Sequence, residues 1–309
     1  MGSSLSLMAW SADDEGATRA FDRVFQEFDR LDQLLSVWKP GSDVVRVNDA
    51  AGTATPIVVS AETVAVLEAA RQASERSGGL FDVTFGALTG LWKFDHDQDN
   101  VVPDPAAVRA RLSLIDYRRV VVDPSARTVR LATTGMRIHL GGIGKGFAVD
   151  RGVALLRAAG IESFSIQAGG DLYVAGQRGD RPWRLGIADP RAPDGTVFAR
   201  VELRDRTFST SGDYERFFMK DGVRYHHIID PTTGAPARLT RSVTIVAPSA
   251  TLADGLSTSV FLMGPERGLA LVESLPDVGA VVVGADNRVW VSRRLEGQVT
   301  ILHPPTDGP

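Results

Sequence analysis

Asp254 and Thr258 stand four residues apart in the stretch SVTIVAPSATLADGLSTSVFLMG, from Ser242 to Gly264. The β-branched run Val243 to Val246 reads as a buried strand, Pro248-Ser249 breaks it, and the pattern predicts a helix from about Ala250 to Leu262. Residues i and i+4 share one helix face. A carboxylate and a hydroxyl therefore point together, near a helix N-terminus with free N–H groups and positive dipole. Two hard oxygens at such an end suit Mg²⁺ holding a phosphate. The plainer reading is that Asp254 offsets the dipole and Thr258 bonds back to a carbonyl.

A second set of groups lies in LGGIGKGFAVDRGVALLRAAG, where a predicted strand, MRIHL, empties into a glycine-rich turn and an amphipathic helix. That layout holds phosphates on backbone N–H groups. It is neither a Walker A loop, because Gly146 follows Lys145, nor GxGxxG. Glycines at a tight turn also have a purely steric use. A third set is VRYHHIIDPTTGAPA, with His226 and His227 adjacent. In an extended segment they face opposite sides, so at most one points into a given pocket.

The elements that must position these groups follow from periodicity. Met1 to Trp10 alternates like a strand. A helix is predicted from about Glu15 to Trp38, its apolar stripe running from Phe21 to Leu35. Asp43 to Thr55 reads as a loop. Ser60 caps a second helix that Gly78-Gly79 stops, and Asp104-Pro105 opens a short one to about Leu112. From Arg118 the period changes to two, giving a hairpin and then a series of strands. A helix around Leu269 to Leu275, a hairpin turned at Ala285 to Asn287 and a loose tail, HPPTDGP, close the chain. This mixed order predicts an α+β fold with mixed, largely antiparallel sheets and packed helices, in a single domain over residues 1–309.

With 309 residues, 43% of them hydrophobic, the chain can bury a large core. A net charge of −4 with interspersed signs gives no basic face for nucleic acid. The absence of cysteine excludes disulfides, thiolate metal sites and a cysteine nucleophile. No apolar run is long enough to span a membrane, and the first residues lack the pattern of a signal peptide.

Eight segments, MGSS, LLSVWKPGSDVVRVN, SGGLFDVTFGALTGLW, LGGIGKGFAVD, AGGDLYVAG, STSGDYERFF, YHHIIDPTTG and the Asp254 segment, occur in the order and spacing of bacterial FAD:protein FMN transferases. Over essentially its whole length the chain resembles this ApbE-like flavin transferase family. The resemblance implies a Mg²⁺-dependent enzyme of that fold that cleaves FAD, releases AMP and attaches FMN by a phosphoester to a Thr or Ser of an acceptor flavoprotein. The acceptor would carry an Asp-Gly-x-Ser/Thr-Gly-Ala-Thr type motif. By position, Asp254, Thr258 and the Gly142 carbonyl resemble the metal-binding groups, and Met1, Trp38, Leu80, Phe81, Asp82, Lys145 and Ile228 resemble the FAD contacts. His227 matches the histidine of the HxIDP motif, and with a reference pKa of about 6.5 it is the candidate catalytic base alongside Asp254. Asp230 or Asp171 could orient it. Trp38 and Phe81 could supply aromatic platforms for FAD. The resemblance further implies an exported, periplasmic protein whose signal lies upstream, the cytoplasm being the alternative.

Two FAD-site positions depart from the family. His139 stands where aspartate is common, and an imidazole cannot repeat what a carboxylate does toward a ribose hydroxyl or metal-bound water, so FAD affinity is expected to respond to His139→Asp. Gly144 stands where alanine is usual. FAD hydrolysis to FMN and AMP, or FAD binding without turnover, are the alternative activities.

Overall fold

A computed structural model describes residues 3–308. The chain runs through β1 (Leu5–Ala9), α1 (Asp14–Leu35), α2 (Asp43–Asp49), β2 (Ile57–Val58), α3 (Ala61–Arg76), α4 (Pro105–Leu112), β3 (Val120–Asp123), β4 (Thr128–Leu131) and α5 (Gly144–Ala158). Then come the strands β5 (Phe164–Ala168), β6 (Asp171–Ala175), β7 (Trp183–Ala188), β8 (Val197–Leu203), β9 (Arg206–Gly212), β10 (Phe217–Lys220), β11 (Val223–His226) and β12 (Thr240–Ala247). The chain continues with α6 (Ala250–Met263), α7 (Pro265–Glu273), β13 (Gly279–Gly284), β14 (Val289–Val291) and β15 (Val299–Ile301).

A seven-stranded sheet in the order β1-β5-β6-β9-β12-β13-β14 forms the centre, and every pairing in it is antiparallel. This is the α+β architecture expected. Alternation along β12 explains why its run is apolar throughout: Val243, Ile245 and Ala247 pack under α6 and α7, while Val246 faces the layer of β7 and β8. α1 and α5 cover the β5 end of the same sheet. A further core joins α1 and α3 to the small sheet β2-β4-β3.

Four local expectations are corrected. Residues 43–49 are helical: the Ser42 hydroxyl accepts from Val45 N–H at 3.0 Å and starts α2 inside what reads as a loop. The MRIHL segment is extended but joins no sheet. The Asn48 side-chain amide bonds both backbone groups of Ile138, at 2.7 and 3.0 Å, and the Val83 carbonyl accepts from His139 N–H at 2.8 Å. These bonds replace a neighbouring strand and anchor the backbone just before the glycine turn. α1 ends at Leu35, so Trp38 lies in the turn beyond it. The tail is tied down, since Thr306 donates twice to Asp189 Oδ2 at 2.9 Å and Asn287 Nδ2 donates to the Pro305 carbonyl at 2.7 Å.

Candidate active site

The site is built where α5 crosses α6. The crossing is close because Gly146 has no side chain: a methyl there would fall 2.2 Å from the Ala250 carbonyl oxygen and 2.7 Å from Asp254 Cβ. Gly146→Ala is therefore expected to destabilise the protein by about 3 kcal/mol, the upper end for overpacking, because backbone has to move. Gly144, two residues earlier in the same helix, is different. A methyl there meets nothing nearer than Leu140 Cβ at 3.9 Å. Gly144→Ala should stabilise by roughly 0.4–1 kcal/mol through the unfolded chain. Urea unfolding of the two variants checks both signs.

At the crossing the Gly146 N–H donates to Asp254 Oδ2 at 2.9 Å. The Lys145 ammonium donates to the Gly141 carbonyl at 2.9 Å and lies 3.4 Å from Asp254 Oδ1 and 3.3 Å from Asp171 Oδ2. Burial works against the lysine's charge, but Asp254 and Asp171 outweigh it and hold its pKa above the ordinary range. Asp254 is 3% exposed; burial, with Asp171 nearby, raises its pKa even though Lys145 pulls the other way.

A cavity of about 550 Å³ opens over this crossing. It is lined by Trp38, Leu80, Phe81, Asp82, His139, Gly142, Lys145, His227, Ile228, Asp254 and Thr258, so these expected residues, far apart in the chain, share one space. Met1 lies outside the described residues. Trp38, 45% exposed, meets His96 edge to face with ring centroids 4.8 Å apart. Phe81 is 4% exposed; its ring would touch a methyl placed on Gly142 at 3.3 Å, so it backs the glycine turn more than it offers a free face. Both Asp82 oxygens are taken, Oδ1 by Thr84 N–H and hydroxyl and Oδ2 by Tyr117 N–H, which starts a short 3-10 turn along the wall.

The two histidines separate, His226 closing β11 and His227 following it in a bend. His226 is buried, shares a hydrogen bond of 2.8 Å between Nε2 and the Ala237 carbonyl, and accepts from Ile228 N–H. His227 lines the cavity, and its Nδ1 is buried without a hydrogen-bond partner among the described residues. Burial, reinforced by His226, Arg216 and Lys145, pushes its pKa down to about 3, so it is neutral at physiological pH. Neither aspartate proposed to orient it does so. Asp230 accepts from Thr232 N–H and hydroxyl, and Asp171 is engaged by the Ser209 hydroxyl and Lys145.

The α6 N-terminus is not the anion site that its sequence suggests. Asp150, reaching from α5, accepts from the backbone N–H groups of Ala250 and Thr251 and from the hydroxyls of Ser249 and Thr251. A local pattern cannot show a cap that arrives from 100 residues upstream. The start of α5, at the glycine turn, has no cap from its own N-cap residue Ile143, and its Gly146 N–H is taken by Asp254.

His139 repeats part of what a carboxylate does at this turn. Its Nδ1 accepts from Gly141 N–H at 3.1 Å, which places the proton on Nε2. Burial pushes its pKa down to about 4, so the ring is uncharged from pH 5 to 8 and its protonation should leave FAD affinity flat there. His139→Asp adds an anion to a cavity read as receiving pyrophosphate. FAD binding without Mg²⁺ should weaken roughly tenfold, as for an added like charge at partly screened range. Isothermal titration from pH 5 to 8 tests both statements, and unchanged affinity in the variant would remove His139 from the binding surface.

The donor set fits a hard cation. Among the described residues no group of three or more His, Asp or Glu side chains is placed to hold a metal ion. The available oxygens are the Asp254 carboxylate, the Thr258 hydroxyl and the Gly142 backbone, which approaches Thr258 so closely that a methyl on Gly142 would stand 3.4 Å from Oγ1. Ser211, not singled out from sequence, brings another hydroxyl 3.4 Å from Thr258 Oγ1. Oxygen donors of this kind are those Mg²⁺ prefers.

A glycine turn at a helix start, hard oxygens beside a lysine and a neutral imidazole around one cavity make a site suited to a phosphoanhydride. The chain belongs to the ApbE family, whose model matches residues 1–282. It is 39% identical over 298 residues to the FAD:protein FMN transferase of Treponema pallidum, covering 92% of this chain and 82% of that protein. Among solved structures, the ApbE protein of Thermotoga maritima superposes with a TM-score of 0.87 at 33% identity, and the flavin transferase ApbE of Vibrio cholerae with 0.84 at 29%. Each comparison covers 96% of both chains.

Proposed function

We propose that this chain is an FAD:protein FMN transferase that moves FMN from FAD to a Thr or Ser hydroxyl of an acceptor flavoprotein and releases AMP. The observation that carries the reading is the meeting of Asp254, Thr258, the glycine turn and His227 at one cavity. Asp254, Thr258 and the Gly142 carbonyl would hold Mg²⁺. That ion, when bound, supplies charge neutralisation at the phosphates. The chain's own groups do the rest. The glycine turn before α5 and Lys145 offer donors and positive charge to the pyrophosphate, and Trp38 offers an exposed ring to an aromatic part of FAD. His227, neutral and lining the cavity, takes the proton of the attacking hydroxyl. Its base strength rises as the anionic pyrophosphate enters and favours the cationic ring.

No helix among the described residues is long and apolar enough to cross a membrane. We further propose, from the family resemblance, that the protein works after export, in the periplasm, on an acceptor with an Asp-Gly-x-Ser/Thr-Gly-Ala-Thr type motif. Intact-mass analysis of such an acceptor domain, incubated with the protein, FAD and Mg²⁺ while AMP is followed, tests the reaction. An FMN-sized mass gain matched by AMP is expected. AMP without the mass gain would replace transfer by hydrolysis, and neither product with FAD retained would leave a binding protein.

A further inference from the structure

Asp171 opens β6 directly after the Gly169-Gly170 turn and is 2% exposed. It pairs in register with Ser209 of β9, whose hydroxyl donates to Asp171 Oδ1. The sheet thereby fixes the carboxylate, and its other oxygen faces the Lys145 ammonium at 3.3 Å. The same ammonium lies 3.4 Å from Asp254 Oδ1 and donates to the Gly141 carbonyl. One partly buried cation is thus shared by two buried carboxylates, and the three groups together carry one net negative charge when ionised.

Without Asp171 the arrangement would be a neutral Lys145–Asp254 pair. A divalent cation approaching Asp254 would then compete with an ammonium that has no other anion to satisfy it, and a buried charge without its partner is costly. With Asp171 present, Lys145 keeps an anion of its own while Asp254 serves the metal.

We propose that Asp171 is the positioning residue that frees Asp254 for a divalent cation, by holding the Lys145 ammonium on a second carboxylate. The inference rests on the reading of Asp254 as the metal-binding carboxylate, and it assigns to Lys145 a built-in competition with the metal.

The test is Mn²⁺ binding to the FAD-free full chain, followed by the loss of the free-ion electron paramagnetic resonance signal. Asp171→Asn, which keeps the shape and the Ser209 contact, should weaken Mn²⁺ at least tenfold. Lys145→Met should tighten it, and the double variant should bind Mn²⁺ more tightly than Asp171→Asn alone. A purely structural aspartate would not be rescued by removing a lysine. Wild-type affinity in Asp171→Asn, or a double variant no tighter than the single one, overturns the proposal. If Asp171→Asn does not fold, Lys145→Met in the native background still decides, because unchanged or weaker Mn²⁺ binding there contradicts a competing ammonium. Asp254→Asn separates the two levels. Its loss of Mn²⁺ binding with an unaffected Asp171→Asn sinks only this inference, whereas unaltered binding in Asp254→Asn removes the metal assignment beneath it.

Discussion

Asp254→Ala should lower FMN transfer at least about 10³-fold, the scale seen when a group stabilising developing charge is removed from a buried site. The loss should persist at high Mg²⁺, because the nearby carboxylate of Asp171 is spent on Ser209 and Lys145. The fold should survive, since among the described residues the Asp254 side chain is held by the Gly146 N–H and Lys145. Asp254→Asn keeps an acceptor for that N–H and removes the charge, so it separates charge from packing. The raised pKa sets the direction of the pH effect. A carboxylate that holds its proton more tightly than usual must give it up to bind a cation, so apparent Mg²⁺ affinity should fall from pH 8 to pH 6, with protons released on binding. Activity titrated with Mg²⁺ at both pH values, beside thermal melting of the variant, checks each part. Full activity in Asp254→Ala would refute the assignment.

His227→Ala should cost about 10²–10⁴-fold in transfer, the range for a positioned general base, while flavin fluorescence quenching still reports FAD binding. The pH profile distinguishes this role from that of an ordinary histidine. With its pKa pushed down to about 3, the free enzyme carries His227 in the base form throughout the neutral range. At saturating Mg²⁺ no acid limb near pH 6.5 should appear in kcat/KM, and the limb belonging to His227 should lie below pH 4. A bell with its acid side at the usual histidine value would place the proton acceptor elsewhere. Replacing the neighbour, His226→Ala, should act through stability instead, because that ring is bonded to Ala237 and packs edge-on against Phe261, with centroids 5.6 Å apart.

Much of this site is legible in the sequence because its spacing is local. Asp254 and Thr258 share a face of α6 by helical period alone, Ser60 and Ser249 mark helix starts by their type, and the glycines around Lys145 announce a turn between an extended segment and a helix. Alternation also shows that only one of His226 and His227 can face a given pocket, although it does not say which.

Only the tertiary structure decides which partner each polar group takes, because those partners lie about 25 to 110 residues apart in the chain and no period encodes them. Asp150 closes the α6 N-terminus, Asn48 replaces a strand beside Ile138, and Gly146 admits the contact that brings Asp254 to α5. Asp171 reaches Lys145 because β6 pairs with β9, a choice made by the whole sheet. The sequence by itself determined the kinds of group and their local faces. Packing determined which of them are charged, which are satisfied and which remain open to a ligand, since burial and neighbouring charge set those states.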